Sequence, residues 1–124
     1  MNITLRIIIS AALFLLVFLT GIWLSRSGRP LSAGVFAAHK LVGLAAGVIL
    51  LVTLYQRHRQ VPLSGPEWIA VAVSGLCFLG TVASGGFLST DEPVSPAQTR
   101  LHQLLPVLAV ISSAVTLYLV LGAS

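Results

Sequence analysis

His39-Lys40-Leu41-Val42-Gly43-Leu44-Ala45-Ala46-Gly47, running on to Val52-Thr53-Leu54-Tyr55, lies without a gap over His102-Gln103-Leu104-Leu105-Pro106-Val107-Leu108-Ala109-Val110, running on to Val115-Thr116-Leu117-Tyr118. The offset is 63 residues, and seven of the seventeen positions are identical. Leu and Val matches carry little weight in apolar sequence. The shared histidine and the shared Thr-Leu-Tyr ending carry more. Upstream of each histidine a second match follows. Thr20-Gly21-Ile22-Trp23-Leu24-Ser25 lies over Ser84-Gly85-Gly86-Phe87-Leu88-Ser89 at an offset of 64. The chain therefore reads as two copies of one helix–loop–helix unit, repeat 1 over about 1–62 and repeat 2 over about 63–124.

Composition fixes the solvent of these helices. Of 124 residues, 56% are hydrophobic and 8% are charged. Soluble domains carry about 25% charged residues, so this chain lacks the polar surface of a water-facing globule. An ordinary soluble enzyme and a disordered tail are excluded. So is a nucleic-acid binder, because the seven Lys and Arg are scattered at the ends of apolar runs rather than gathered in a stripe. Cys77 is the single cysteine, which excludes an intrachain disulfide and any Cys-rich metal or iron–sulfur site.

A helix crosses the hydrocarbon core with about 20 apolar residues. Lipid offers backbone groups no partner, so each crossing segment must be helical. Four runs qualify, over about 4–25, 32–55, 67–89 and 98–122. The first is long for the apolar core of a secretion signal, and no A-x-A-like site follows it. The breaks between runs hold Gly28 and Pro30, then Gln56 to Gln60 with Pro62 and Pro66, then Asp91-Glu92-Pro93 with Pro96. Trp23, Tyr55, Trp68 and Tyr118 stand near run ends, where amphipathic rings favour the interface. The expected fold is all-α: an integral membrane up-down four-helix bundle, residues 1–124 forming a single membrane domain from a tandem duplicated hairpin.

Two crossings per repeat return the chain to its starting side. The copies are then parallel, and His39 and His102 share one leaflet at one depth. Ionisable residues inside spans default to a functional reading. Imidazole is a directional metal ligand, and two of them across a bundle can hold an iron porphyrin from both faces. Gly43 and Gly47, four and eight residues after His39, lie on its helix face. They leave room for a flat macrocycle, or else serve ordinary close helix packing. Pro106, four residues after His102, removes an amide and is expected to kink the helix. Arg26, Arg29, Lys40 and Arg100 all fall on the histidine side, where they suit the two propionates of haem. The plain alternative for them is solvated or snorkelling charge. With the N-terminus inside, Arg6, Arg57 and Arg59 are inner and those four are outer, so the positive-inside rule sets no orientation.

The remaining candidates are weaker. His58 reads as a solvated loop residue and Cys77 as a buried inert thiol. Glu67 has no evident acid–base partner. Asp91 and Glu92 read as a turn with Pro93. Catalytic residues are not expected, because no nucleophile–base pair and no phosphate loop stands in the sequence.

Leu79-Gly80 through Gly85-Gly86, His102 with Leu104-Leu105, and in the first copy Gly21 with His39-Lys40, carry a resemblance. A Gly-containing span, a loop and a His-initiated span, repeated twice, resembles one four-helix half of haem A synthase. It also resembles, more loosely, small cytochrome b561-like bundles. The resemblance implies one haem b between the second and fourth helices, near the outer face, with His39 and His102 as axial ligands and the termini cytoplasmic. It covers nearly the whole chain in topology. The acidic residue of haem A synthase before a histidine has no counterpart: Phe36 and Thr99 stand three residues upstream.

Three functions compete for this sequence. The leading expectation is a b-type cytochrome of a bacterial inner membrane that passes single electrons. It would be a subunit of a larger membrane redox complex or a quinone-linked carrier, with lipid around it, and not an enzyme on its own. The second is a (bacterio)chlorophyll-binding subunit, one magnesium per imidazole. The third is an accessory structural subunit without a cofactor, its histidines hydrogen-bonded to backbone or lipid.

Overall fold

The computed structural model describes residues 2–27, 32–88 and 95–122. They form α1 (Ile3–Ser27), α2 (Ala33–Gln60), α3 (Gly65–Leu88) and α4 (Pro96–Gly122). The fold is all-α among the described residues, and all four helices are long and apolar enough to cross a membrane. The chain divides into two compact units, Met1–Gln60 and Val61–Ser124. Each unit is one antiparallel hairpin, α1 on α2 and α3 on α4.

A short polar residue sets each helix start. The Asn2 Oδ1 accepts the Leu5 amide at 2.7 Å, and the Ser32 hydroxyl accepts the Val35 amide at 3.5 Å. At α3 the Ser64 amide donates to Glu67 Oε2 at 3.1 Å. At α4 the exchange is reciprocal. The Ser95 amide donates to Gln98 Oε1 at 3.1 Å, and the Gln98 amide donates to Ser95 Oγ at 3.2 Å. These bonds satisfy amides that have no partner inside the helix. Glu67 thus has a structural task, and Ser32 and Ser95 are themselves 63 residues apart.

Three expected boundaries move. The second helix does not stop at Tyr55 but continues to Gln60, with Arg57, His58 and Arg59 in its last turn. The stretch read as a loop is helical because cations favour the negative end of the helix dipole. His58 is accordingly a helix residue, half-buried, and not a loop residue. Pro66 and Pro96 do not separate spans either. They stand in the first turns of α3 and α4, where a missing amide costs nothing. Pro106 lies inside α4, and the helix runs on through it.

In the first hairpin, α2 turns His39, Ala46 and Thr53 toward α1. The spacing of seven keeps one seam facing its partner helix. Ala46 is fully buried, and Thr53 and Ser10 are nearly so. In the second hairpin, α4 turns His102, Ala109 and Thr116 toward α3 at the same spacing, and Ala109, Thr116 and Ser84 are buried. Both seams are therefore built of small and hydroxyl-bearing residues. Such residues let helices approach closely where lipid removes the usual hydrophobic drive. The large aliphatics, among them Leu15, Leu44, Leu51, Leu76 and Leu104, are exposed. Exposed leucine is what a lipid-facing helix presents.

Candidate functional site

His39 lies in the second turn of α2, seven residues after Ser32. Its Nδ1 is 3.1 Å from the Val17 carbonyl oxygen and 3.0 Å from Thr20 Oγ1. A carbonyl only accepts, so Nδ1 carries the proton and donates. The Thr20 hydroxyl donates its own proton back to the Leu16 carbonyl at 2.8 Å, leaving its oxygen to accept. The ring is thus tied to α1 at two points and its tautomer is set. Gly21 makes the approach possible: a Cβ there would stand 3.2 Å from His39 Cε1.

His102 repeats the arrangement in the second hairpin. Its Nδ1 is 2.8 Å from Ser84 Oγ. The Ser84 oxygen is also 3.0 Å from the Thr81 carbonyl; when its proton goes there, Nδ1–H donates to Ser84, and in the other tautomer the hydroxyl donates to Nδ1. Gly85 backs the ring more tightly than Gly21 does. A Cβ there would stand 3.0 Å from His102 Cε1, closer than side chains pack without displacement. Both histidines are half-buried. With the proton on Nδ1, as the Val17 carbonyl sets it in His39, the lone pair of the ring lies on Nε2. This is the arrangement that orients a metal-bound imidazole.

The other expected residues fall as follows. Gly43 faces α1, where a Cβ would meet the Val17 methyl at 3.9 Å, so it sits in the hairpin seam. Gly47 is half-buried one turn further along α2. Arg26, in the last turn of α1, is exposed at the same end of its hairpin as His39. Lys40 is exposed, with its ammonium 4.3 Å above the Phe36 ring. Arg100 is exposed one turn into α4, close to His102 in sequence. Arg29, Asp91 and Glu92 lie outside the described residues. Cys77 is half-buried with a free thiol.

Sequence reasoning matched Thr20-Gly21 to Ser84-Gly85 without assigning them a task. They are the hydroxyl and the bare backbone against which each imidazole rests. The signal was present: both pairs keep their distance to the following histidine to within one residue.

A second polar station stands two heptads further along each even helix. Ser74 Oγ and Thr116 Oγ1 are 2.8 Å apart in the second hairpin. In the first, Arg6 Nη1 donates to Thr53 Oγ1 at 3.4 Å, and Thr53 donates to the Ile49 carbonyl at 2.7 Å. Among the described residues no three of His, Cys, Asp and Glu gather as a protein-only metal cage. Comparison with family models, curated proteins and solved structures finds no match.

Proposed function

We propose that this chain is a b-type cytochrome of a membrane redox system, with one haem b held axially by His39 and His102. The observation that carries the reading is the common treatment of the two rings. Each is bonded through Nδ1 to the first helix of its hairpin, and each is backed by a glycine. A porphyrin brings four nitrogen ligands of its own, so two imidazoles complete its iron and no larger cluster is needed.

The residues divide the work. His39 and His102 ligate. Thr20, the Val17 carbonyl and Ser84 hold the rings at fixed angles and raise their basicity. Arg26, Lys40 and Arg100, with Arg29, supply cations for the two propionates. Two membrane crossings separate the histidines in sequence, which places both near the outer face when the termini are cytoplasmic. Haem b supplies a one-electron iron couple when bound. In this reading its donor and acceptor are a quinone or neighbouring subunits.

The test is an absorption spectrum of the detergent-purified protein, oxidised and then reduced with dithionite. A Soret band that shifts on reduction, with sharp α and β bands, is expected. His39→Ala and His102→Ala each abolish that low-spin spectrum, whereas His58→Ala leaves it intact. Far-red bands indifferent to dithionite would identify a chlorin pigment instead. A protein with no visible chromophore and no haem uptake overturns the cytochrome reading.

One observation favours a second reading. The His39 bond to the Val17 carbonyl is itself a tie between helices, and such a tie needs no cofactor. An accessory subunit whose histidines only clasp each hairpin would take up no haem, yet would lose stability on either His→Ala change.

A further inference from the structure

The cations of this chain stand near helix ends, in the zone that sets how a membrane protein is oriented. Arg6 lies near the start of α1 and Arg26 in its last turn. Arg57 and Arg59 close α2, and Arg100 lies near the start of α4. Lys40 is deeper in α2, but its ammonium turns back over the Phe36 ring at 4.3 Å, four residues nearer the start of that helix. A lysine that snorkels toward one end counts with that end. Arg29 falls in the sequence between α1 and α2.

The contacts of Arg6 with Thr53 and of Thr20 with His39 put the start of α1 beside the end of α2. One end of the first hairpin therefore carries Arg6, Arg57 and Arg59. The histidine end carries Arg26, Arg29 and Lys40, so the balance is three against three. The stretch Met1–Gln60 contains no Asp or Glu to tip it. Lys and Arg are retained on the cytoplasmic side of a membrane, and the charges around the first crossings usually decide the orientation. Equal ends give the first hairpin no reason to enter one way rather than the other. The second hairpin adds Arg100 alone, and its carboxylates, Glu67, Asp91 and Glu92, weigh little in orientation. Aromatic anchors favour neither end: Trp23 and Tyr55 are both exposed, one at each.

We propose that the chain enters the membrane in both orientations. His39 and His102 then stand near the outer face in part of the population and near the cytoplasmic face in the rest, so the histidine end is reached from either side. The placement of charge alone carries this, and it holds whether or not either histidine ligates iron.

The full chain is expressed with Cys77→Ala, which removes the native thiol, and with either Ser27→Cys at the histidine end or Gln60→Cys at the other. Intact cells are treated with a membrane-impermeant maleimide, before and after permeabilisation. Each site is expected to label in part before permeabilisation and fully after it. One site fully labelled in intact cells with the other untouched overturns the proposal. Single cations then move the balance in opposite directions. Arg26→Gln shifts the ratio about fivefold toward copies whose Arg6 end is cytoplasmic, and Arg57→Gln about fivefold the other way, the worth of one interfacial cation. No shift, or shifts of the same sign, overturns it as well. Where an Arg→Gln variant fails to accumulate, the labelling with all seven cations in place decides by itself.

Discussion

The two hairpins share a scaffold and differ in charge. Both pack a helix bearing His, Ala and Thr at intervals of seven against a helix bearing a hydroxyl and a glycine. The sequence corresponding to the first carries six of the seven Lys and Arg and no carboxylate. The second carries Arg100 alone, with Glu67, Asp91 and Glu92. What the copies retain is the machinery around the histidines. What they vary is the electrostatics at the membrane surface. Polar groups in a span are retained only where their bonds are complete, whereas interface charges cost little and change freely.

The hairpins also differ in how tightly each holds its ring, and substitutions placed in pairs separate the two. The largest effect is expected at the glycines. In Gly85→Ala the new methyl meets His102 Cε1 at 3.0 Å, and an overpacking cost of about 2 kcal/mol exceeds the helix propensity gained, about 1 kcal/mol. Gly21→Ala has 3.2 Å, and the helix propensity gained, about 1 kcal/mol, offsets much of the strain. Unfolding in mixed detergent reads both. Equal losses at the two sites would erase the distinction between the hairpins.

Next come the hydroxyls. Ser84→Ala removes the 2.8 Å bond to His102 and costs about 1 to 2 kcal/mol. Thr20→Val costs less, because His39 keeps the Val17 carbonyl at 3.1 Å. A larger loss in Thr20→Val would mean that the carbonyl contributes nothing. The helix starts rank third. Ser95→Ala dismantles a reciprocal cap and costs about 1 kcal/mol. Ser32→Ala gives up one long bond of 3.5 Å and a few tenths of that. The temperature dependence of helical dichroism orders them. The smallest effect is at the far stations: Thr116→Val is expected to cost about 0.6 kcal/mol, the average for a bond between membrane helices. Thr53→Val, facing a 3.4 Å contact, costs less again.

Much of this fold is legible in the sequence. Four apolar runs of membrane length admit only helices, and the 63-residue offset marks the two hairpins. The end of α2 was not legible, because Gln56 to Gln60 is polar, and hydropathy registers where lipid ends rather than where a helix ends. The histidines were legible as rare ionisable groups in apolar surroundings. Their supports were not. Thr20 and Ser84 look like ordinary hydroxyls of a membrane helix, and their task depends on which residue the opposite helix brings to 3 Å. Gly43 shows the same limit. Its position one turn after His39 puts it on the His39 face of α2, and there it meets Val17 of the same seam.

Each imidazole is tied within its own hairpin, by 19 residues of separation in the first and 18 in the second. During synthesis, then, the first pair of helices can enter the bilayer complete. When residue 60 leaves the ribosome, the His39 Nδ1–H already has its acceptors on α1. The nascent chain need not hold a polar ring against lipid while it waits for the second half to be made. Each hairpin is thus closed by bonds that its own two helices supply.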